Sequence, residues 1–333
     1  MPVTLKDIAE RAGVSFQTVS VVLNCRQSSM HVKAETRERV ERIAREMGYE
    51  RDAMASALAR GKVEAVGIAA YGLNDPHIAA ALERAESLCA ANGHAMVVAA
   101  AGGHEQWLPL LRRRRVDALL TIGVQAAFRS EGDIDEAYRA KVAIVGPYYA
   151  SPGAAGARCF KACWSDADLG AKAVRHLLSL GHRKLAILSG NVDVDTPLND
   201  KVAGAVAAAR EAGAEHRLFR RPDAADVFAD ADAMAEEFLA SGFDASALLL
   251  RNDTLFAGTL FALQRHGVKV PDDLSVMACI GMGERVSCVY TRLPDTVAMV
   301  LGHYFQRGAF PAQDIPVDPV VRPGQTAIPH SGA

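Results

Sequence analysis

The sequence predicts an α/β protein made of an all-α head and a larger, doubly wound α/β body with two lobes. Between residues 4 and 48, apolar residues recur at helical spacing and are bounded by residues that cap helices. From residue 63 on, short apolar runs alternate with helical patterns, which is typical of parallel sheets covered by helices. At 333 residues, 50% of them hydrophobic and 23% charged, the chain is long enough for two or three domains with sizeable cores.

The head begins with two short helices joined by a tight turn. Thr4 can cap the first helix, and Asp7 completes a capping box three residues later. Gly13 supplies the positive φ that a sharp exit from the helix needs, and Ser15 can cap a second helix from about 16 to 24. This is the helix-turn-helix arrangement that inserts a helix into a groove of DNA. Taken alone, the helix pair also fits a helical bundle or a partner-binding domain.

The second helix has two different faces. Its apolar positions are expected to pack on the first helix and are Val19, Val22 and Leu23. The opposite stripe is expected to be exposed and to read DNA, and it contains Gln17, Ser20, Val21 and Asn24. A third helix is predicted from about Ala34 to Met47, where Gly48 ends it, so that three helices enclose one small core.

The run TLKDIAERAGVSFQTVSVVLN at 4–24 resembles the opening of the LacI/GalR family of transcription regulators. The resemblance recurs along the body, in RRVDALL at 114–120, LGHRKLA at 180–186 and GVKVPDDLSV at 267–276. It implies a helix-turn-helix head over 1–49, a hinge helix or linker over 50–62, and an effector-binding and dimerisation domain over 63–330 that is similar to periplasmic binding proteins. Within that domain, lobe 1 is expected at about 63–161 and 292–320, and lobe 2 at about 162–291.

The same resemblance implies which residues touch DNA. The expected base-reading positions are Phe16, Gln17 and Val21, where Val21 replaces a common arginine. The expected backbone contacts are Thr4, Leu5, Ser15, Thr18, Ser20, Asn24 and His31. Leu58 matches the leucine that paired hinge helices drive into the minor groove. A plain linker is the alternative for 50–62, because Arg51 and Asp52 replace the proline and asparagine usual in the family.

The body shows a series of short apolar runs that predict buried strands. They lie at Ala65–Ala70, Ala95–Ala101, Asp117–Gly123, Lys141–Gly146, Lys184–Gly190, Ala247–Leu250 and Leu274–Ile280. Parallel sheets of this kind bind ligands beyond the carboxyl ends of their strands. We therefore expect an effector site in the cleft between the two lobes.

Following the resemblance residue by residue gives a candidate effector pocket. It comprises Tyr71, His77 and Ile78 from lobe 1 and Lys201, Arg221, Asn252 and Ile280 from lobe 2. Ile280 stands where relatives have an aspartate that accepts hydrogen bonds from sugar hydroxyls, and unsatisfied hydroxyls cost about 1–3 kcal/mol each. With Lys201 present and Arg221 and Arg251 near it in the fold, a phosphorylated or carboxylated metabolite is the favoured effector. Loss of effector sensing is the alternative.

The remaining signals exclude other chemistry. The six cysteines show no metal-binding spacing and are expected to be reduced, mostly buried thiols, with Cys159 and Cys163 able to meet on one helical turn. No hydrolase or metalloprotease motif is present, so we expect no catalytic residue, no cofactor and no metal site. A solute-binding-protein-like sensor with a degraded ligand or DNA response is the alternative function.

Charge and the two ends of the chain complete the prediction. Residues 1–62 hold 11 Lys and Arg against 8 Asp and Glu, whereas the whole chain has a net charge of −2, so the basic surplus is confined to the head that would meet phosphates. The first residues carry no apolar signal run, which favours the cytoplasm. Because no leucine heptad follows residue 320, we expect a homodimer on a palindromic operator rather than a tetramer.

Overall fold

The computed structural model divides the chain into two compact units, Met1–Glu64 and Ala65–Ala333. The residues that it describes are 3–23, 32–49, 63–70, 73, 75–100, 113, 116–123, 141–147, 159–189, 200–221, 226–281 and 285–330.

The described part of the first unit is helical. Its helices are α1 (Leu5–Ala12), α2 (Phe16–Leu23) and α3 (Ala34–Glu46). They pack around one apolar core, in which Ile8, Val19 and Val40 are fully buried. The predicted helices and the buried face of the second helix are confirmed, with Leu23 partly buried.

The turn between α1 and α2 has the predicted local chemistry. The Thr4 hydroxyl accepts a hydrogen bond from the Asp7 amide at 3.4 Å, and the Asp7 carboxylate accepts one from the Thr4 amide at 2.8 Å. Gly13 ends α1 at φ 63°, where a side chain would be strained. The Ser15 hydroxyl then accepts from the Thr18 amide at 3.1 Å and so caps α2. Both capping predictions are confirmed.

The described strands of the second unit form two sheets. The strands are β1 (Ala65–Ala70), β2 (Ala95–Ala100), β3 (Ala118–Ile122), β4 (Val142–Pro147), β5 (Phe160–Trp164), β6 (Lys184–Ser189), β7 (Glu215–Arg220), β8 (Ala247–Leu250), β9 (Ser275–Ala278), β10 (Ser287–Tyr290), β11 (Ile315–Pro316) and β12 (Val320–Arg322). The first sheet has the order β11-β5-β4-β3-β1-β2 and the second the order β12-β10-β9-β8-β6-β7. Neighbouring strands are parallel, except that β12 runs antiparallel to β10.

The helices of the second unit cover these sheets. They are α4 (Pro76–Ala91), α5 (Asp166–Ser179), α6 (Asp200–Glu211), α7 (Val227–Ala240), α8 (Phe256–Arg265) and α9 (Leu293–Arg307). They pack in pairs, α4 with α9, α5 with α6 and α7 with α8. The α5–α6 pair is close enough that a Cβ added at Gly170 would lie 1.7 Å from the Lys201 carbonyl oxygen. Two glycines, Gly170 and Gly204, therefore set the spacing of this pair.

The chain passes between the two sheets along the described segments that follow β5, β10 and β11. We expected the first crossover at about residue 162, but β5 stays in the first sheet through Trp164. We assigned residues up to 320 to lobe 1, but β12 begins at Val320 and pairs with β10 of the second sheet. The second difference arises because β12 is only three residues long and lies at the sheet edge, so it carries little periodicity in the sequence.

The seven predicted strands are present, with ends that differ by at most two residues. The prediction that all seven are buried is wrong for β2, which is an edge strand with Val97 and Val98 exposed. The prediction that Cys159 and Cys163 meet on a helical turn is wrong, because Cys163 lies in the strand β5 and Cys159 directly precedes it. Four residues along an extended strand are about 13 Å apart, so the two thiols do not meet. The five cysteines within the described residues are free thiols, as predicted.

Candidate functional site: a helix-turn-helix surface and an interlobe cleft

The exposed surface of α2 is narrower than the sequence suggests. Gln17 is exposed, Phe16 is 50% exposed and Val21 is half-buried. Ser20 is only 6% exposed, so its predicted place on the outer stripe is wrong. The physical reason is that α2 packs against both α1 and α3, which widens its buried arc. The structure thus corrects the exposure of Ser20, while its contact with the DNA backbone stays a prediction.

The other predicted DNA contacts fall into two groups. Thr4 and Ser15 are exposed, and Leu5 and Thr18 are half-buried; all four lie at the first turn of α1 or α2. Asn24, His31 and Leu58 lie outside the described residues. The first turns of both helices therefore present hydroxyls and backbone amides on the same short segment as Phe16 and Gln17, and helix starts of this kind attract phosphate oxygens.

In the second unit, the strand order identifies one edge of each sheet as a binding position. Strand order reverses beside β1 in the first sheet, where β2 and β3 flank it, and beside β6 in the second, where β7 and β8 flank it. At such a reversal the chain leaves neighbouring strands in opposite directions, which opens a crevice at their carboxyl ends. Both described sheets therefore have this crevice.

Buried polar atoms collect at these carboxyl ends. Among the residues that the structure describes, no hydrogen-bond partner is present for the Ser189 hydroxyl at the end of β6 or for Arg251 Nε just after β8. The same holds for the hydroxyls of Thr291, after β10, and Thr121, near the end of β3. Buried polar atoms are normally satisfied, so unpartnered ones at four strand ends mark this region as a polar binding surface.

His77 of lobe 1 contacts Asp253 of lobe 2. His77 lies in the first turn of α4, which Asp75 caps by accepting from the His77 amide at 2.8 Å. The His77 side chain is 4% exposed, and its Nε2 lies 3.7 Å from a carboxylate oxygen of Asp253, which follows β8 in the second lobe. The Asp253 amide in turn donates to the Ile280 carbonyl at 3.0 Å. His77 and Asp253 thus connect lobe 1 to the strand ends of lobe 2.

The structure places the other predicted pocket residues as follows. Ile78 is packed into the apolar core beside the first sheet. Lys201, Asn252 and Ile280 are half-buried, at the start of α6, after β8 and after β9 respectively, and Arg221 is exposed directly after β7. Tyr71 lies outside the described residues.

The charged groups that act on Cys279 lie near the carboxyl ends of the strands of the second sheet. Cys279 is fully buried, its amide donates to the Leu250 carbonyl at 2.7 Å, and burial raises the pKa of its thiol to about 12. The positive charges of Lys201 and Arg251 act against that rise in pKa, whereas the Asp166 carboxylate adds to it. These three charged groups therefore lie around the same strand end.

Three residues at the carboxyl ends of these strands were not predicted from the sequence: Ser189, Thr291 and Asp166. Their positions in the sequence could have indicated them. Ser189 is the last residue of β6, Thr291 directly follows β10, and Asp166 begins the helix after β5. Asp166 is 4% exposed, and its carboxylate accepts from the Trp164 indole N–H at 3.0 Å. Within the described ranges, no cluster of three His, Cys, Asp or Glu side chains could hold a metal ion, and no helix is long and apolar enough to span a membrane.

Each of the two units matches a known protein family model. Residues 4–52 match the family model of bacterial regulatory proteins of the lacI family, and residues 174–290 match the periplasmic binding protein-like domain. The chain is 28% identical over 278 residues to the ribose operon repressor of Haemophilus influenzae, covering 82% of this chain and 80% of that protein. It is 26% identical over 282 residues to the transcriptional repressor PurR of Vibrio parahaemolyticus, with the same coverage.

Solved structures give the same fold. The Lac repressor dimer bound to operator and the anti-inducer ONPF matches with a TM-score of 0.74 at 22% identity, over 98% of this chain and 100% of that one. The Lac repressor bound to ONPG in the repressed state matches with the same TM-score at 25% identity, over 98% and 100% of the two chains. The relatives are transcriptional repressors rather than enzymes, which confirms the expectation that this chain is not an enzyme.

Proposed function

Because this chain belongs to the lacI family of bacterial regulatory proteins, we propose that it is a sequence-specific DNA-binding repressor whose operator affinity is set by a small-molecule effector. The observation that carries the proposal is the helix-turn-helix unit, in which a capped α1, a Gly13 turn and a capped α2 leave Phe16 and Gln17 exposed. We place its action in the cytoplasm, where a regulator meets chromosomal DNA.

On DNA, α2 enters the major groove and reads bases with Phe16, Gln17 and Val21. The Gln17 amide suits adenine, and the apolar pair suits thymine methyl groups. Thr4, Leu5, Ser15, Thr18 and Ser20 contact the backbone and fix the register without choosing sequence. Asn24 and His31 complete these contacts, and Leu58 opens the central minor groove. The domain boundaries of this proposal are 1–49, 50–62 and 63–330.

The repressor acts as a homodimer, so that two copies of α2 reach successive major grooves of a palindrome. The related Lac repressor was solved as a dimer on its operator, which supports this assembly. Solute-binding proteins share the fold of the second unit, but they have no use for the helix-turn-helix unit. The alternative, a sensor with a degraded DNA response, predicts no operator.

The effector binds between the lobes, with His77 and Ile78 on one side and Lys201, Arg221, Asn252 and Ile280 on the other, and with Tyr71, which follows β1 in the sequence. A ligand can shift the lobe arrangement only by binding one arrangement better than the other. The contact between His77 and Asp253 links the lobes directly, so a ligand that changes it changes the arrangement. We propose a phosphorylated or carboxylated metabolite as the effector, since Ile280 offers no acceptor to sugar hydroxyls.

Selection of bound fragments from random duplex DNA, with and without a metabolite panel, tests the proposal. The expected outcome is enrichment of one palindrome, with a yield that changes when an effective metabolite is added. Fragments that show no common sequence, with ligand binding retained, would instead support the solute-binding alternative.

A further inference from the structure

We infer that the carboxyl edge between β6 and β8 is the subsite for an oxyanion, and that Arg251 and Ser189 bind the phosphate or carboxylate group of the effector, with Lys201 beside them. The inference rests on the proposed function, because it assigns a ligand class and new residues to the interlobe cleft. Ser189 is not among the residues that the family resemblance implies for the pocket, and Arg251 was expected only to lie near Lys201, not to contact the ligand.

The sheet register places the two side chains together. Leu188 of β6 is paired with Leu250 of β8, so the next residues, Ser189 and Arg251, are neighbours across the two strands. The Arg251 amide donates to the Leu188 carbonyl at 3.0 Å, which fixes Arg251 at this edge. The edge lies at the strand-order reversal of the second sheet, where a ligand is expected from the topology.

Both side chains present hydrogen-bonding atoms that the surrounding protein leaves unused. Ser189 is fully buried, and neither its hydroxyl nor the buried Nε of Arg251 has a hydrogen-bond partner in the described part of the chain. Within the described residues, neither Arg251 nor Lys201 forms an ion pair. A buried Nε–H donor without an acceptor is unfavourable, and an oxyanion supplies acceptors for both Arg251 Nε and the Ser189 hydroxyl.

Two cations and two carboxylates lie around this edge. Lys201 and Arg251 both lie close enough to Cys279 to oppose the rise of its pKa, and Asp166 is the acidic group in the same cluster. Asp166 already accepts from Trp164, while Asp253, the next carboxylate along, lies against His77. Lys201 and Arg251 are thus the two cations at the strand ends from which an oxyanion would gain charge-assisted contacts.

Thermal unfolding of the full chain in inorganic phosphate or acetate, with chloride at matched ionic strength as the reference, tests the subsite. The wild-type protein should show a saturable rise of Tm with at least one oxyanion. Arg251→Gln should weaken the apparent Kd about tenfold, because it removes the charge and the Nε donor. Arg210→Gln is the matched control, since Arg210 is exposed on the last turn of α6, and it should bind as the wild type does.

Two further variants keep the test decisive if Arg251→Gln does not fold. Ser189→Ala and Lys201→Gln should each weaken oxyanion binding severalfold, with native circular dichroism. A Tm that rises no more in either oxyanion than in chloride overturns the inference, as does equal binding by the wild type and by whichever of these variants fold. The experiment uses no DNA, so its failure is separate from a failure of operator binding.

Discussion

At the residue scale, features set by near neighbours could be predicted and those set by distant packing could not. The Thr4–Asp7 capping box and the Gly13 turn depend on residues within three or four positions, and both are present. Burial of Ser20 depends on α3, which follows after a separate segment, so the helical period of α2 alone misplaced it. The unpartnered atoms of Ser189 and Arg251 are likewise products of strand pairing and cannot be read from composition.

Gln17→Ala is the residue-scale prediction. Loss of a side-chain amide that pairs with a base edge should weaken operator binding by about 1–3 kcal/mol and relax the preference at that base pair. Fluorescence anisotropy on the selected operator and on duplexes substituted at single positions measures both effects. Glu38→Ala, at an exposed position on α3, is the control and should bind with unchanged sequence preference. An unchanged profile for Gln17→Ala would remove Gln17 from the reading surface.

At the element scale, strand prediction succeeded where the strand sequence is a continuous apolar run, even for the exposed edge strand β2. β1, β3 and β8 are continuous apolar runs, and their sequences predict them directly. β7 has the sequence Glu-His-Arg-Leu-Phe-Arg and lies at a sheet edge. Its charged residues leave no apolar run from which a strand could be predicted. β5 alternates buried and half-buried residues, and β11 and β12 are two and three residues long, too short for any period to appear.

Gly170→Ala is the element-scale prediction, because α5 and α6 touch through backbone. The new Cβ would lie 1.7 Å from the Lys201 carbonyl oxygen, so the helices must separate, at a cost of about 1–3 kcal/mol in the free energy of unfolding. Gly302→Ala in α9 is the control, since it meets no atom within 4 Å and should stabilise by about 0.5–1 kcal/mol. Urea unfolding of both variants measures the difference, and equal stabilities would contradict the close approach.

At the scale of the whole molecule, the sequence predicts a two-lobed body but not the path of the chain between its sheets. The segments after β5, β10 and β11 each connect one sheet to the other, and no local pattern marks such a connection.

The C-terminal residues are held by the second lobe. His182 is 2% exposed, and its ring nitrogens lie 3.0 Å from the Ser246 hydroxyl and from the Ile328 carbonyl.

The His182 contacts predict a pH-dependent stability. Burial lowers the pKa of His182 below its ordinary value of 6.5, and burial shifts His176 in the same direction. The unfolded chain therefore binds more protons, so the free energy of unfolding is highest above about pH 6.5 and falls as pH drops through the folded pKa values. Urea unfolding between pH 7.5 and 5.5 should show this loss. His182→Gln should be less stable at pH 7.5 and lose less on acidification; a loss equal to that of the wild type would contradict the assignment.

The central claim is that the helix-turn-helix unit reads DNA sequence as one half of a dimer. The most direct measurement is the affinity of the full chain for its selected palindrome and for a scrambled duplex of the same length, at one fixed salt concentration. The account predicts binding to the palindrome at least about a thousandfold tighter, with two chains on each duplex. Equal affinity for the two duplexes, in the presence and absence of effective ligands, would contradict it.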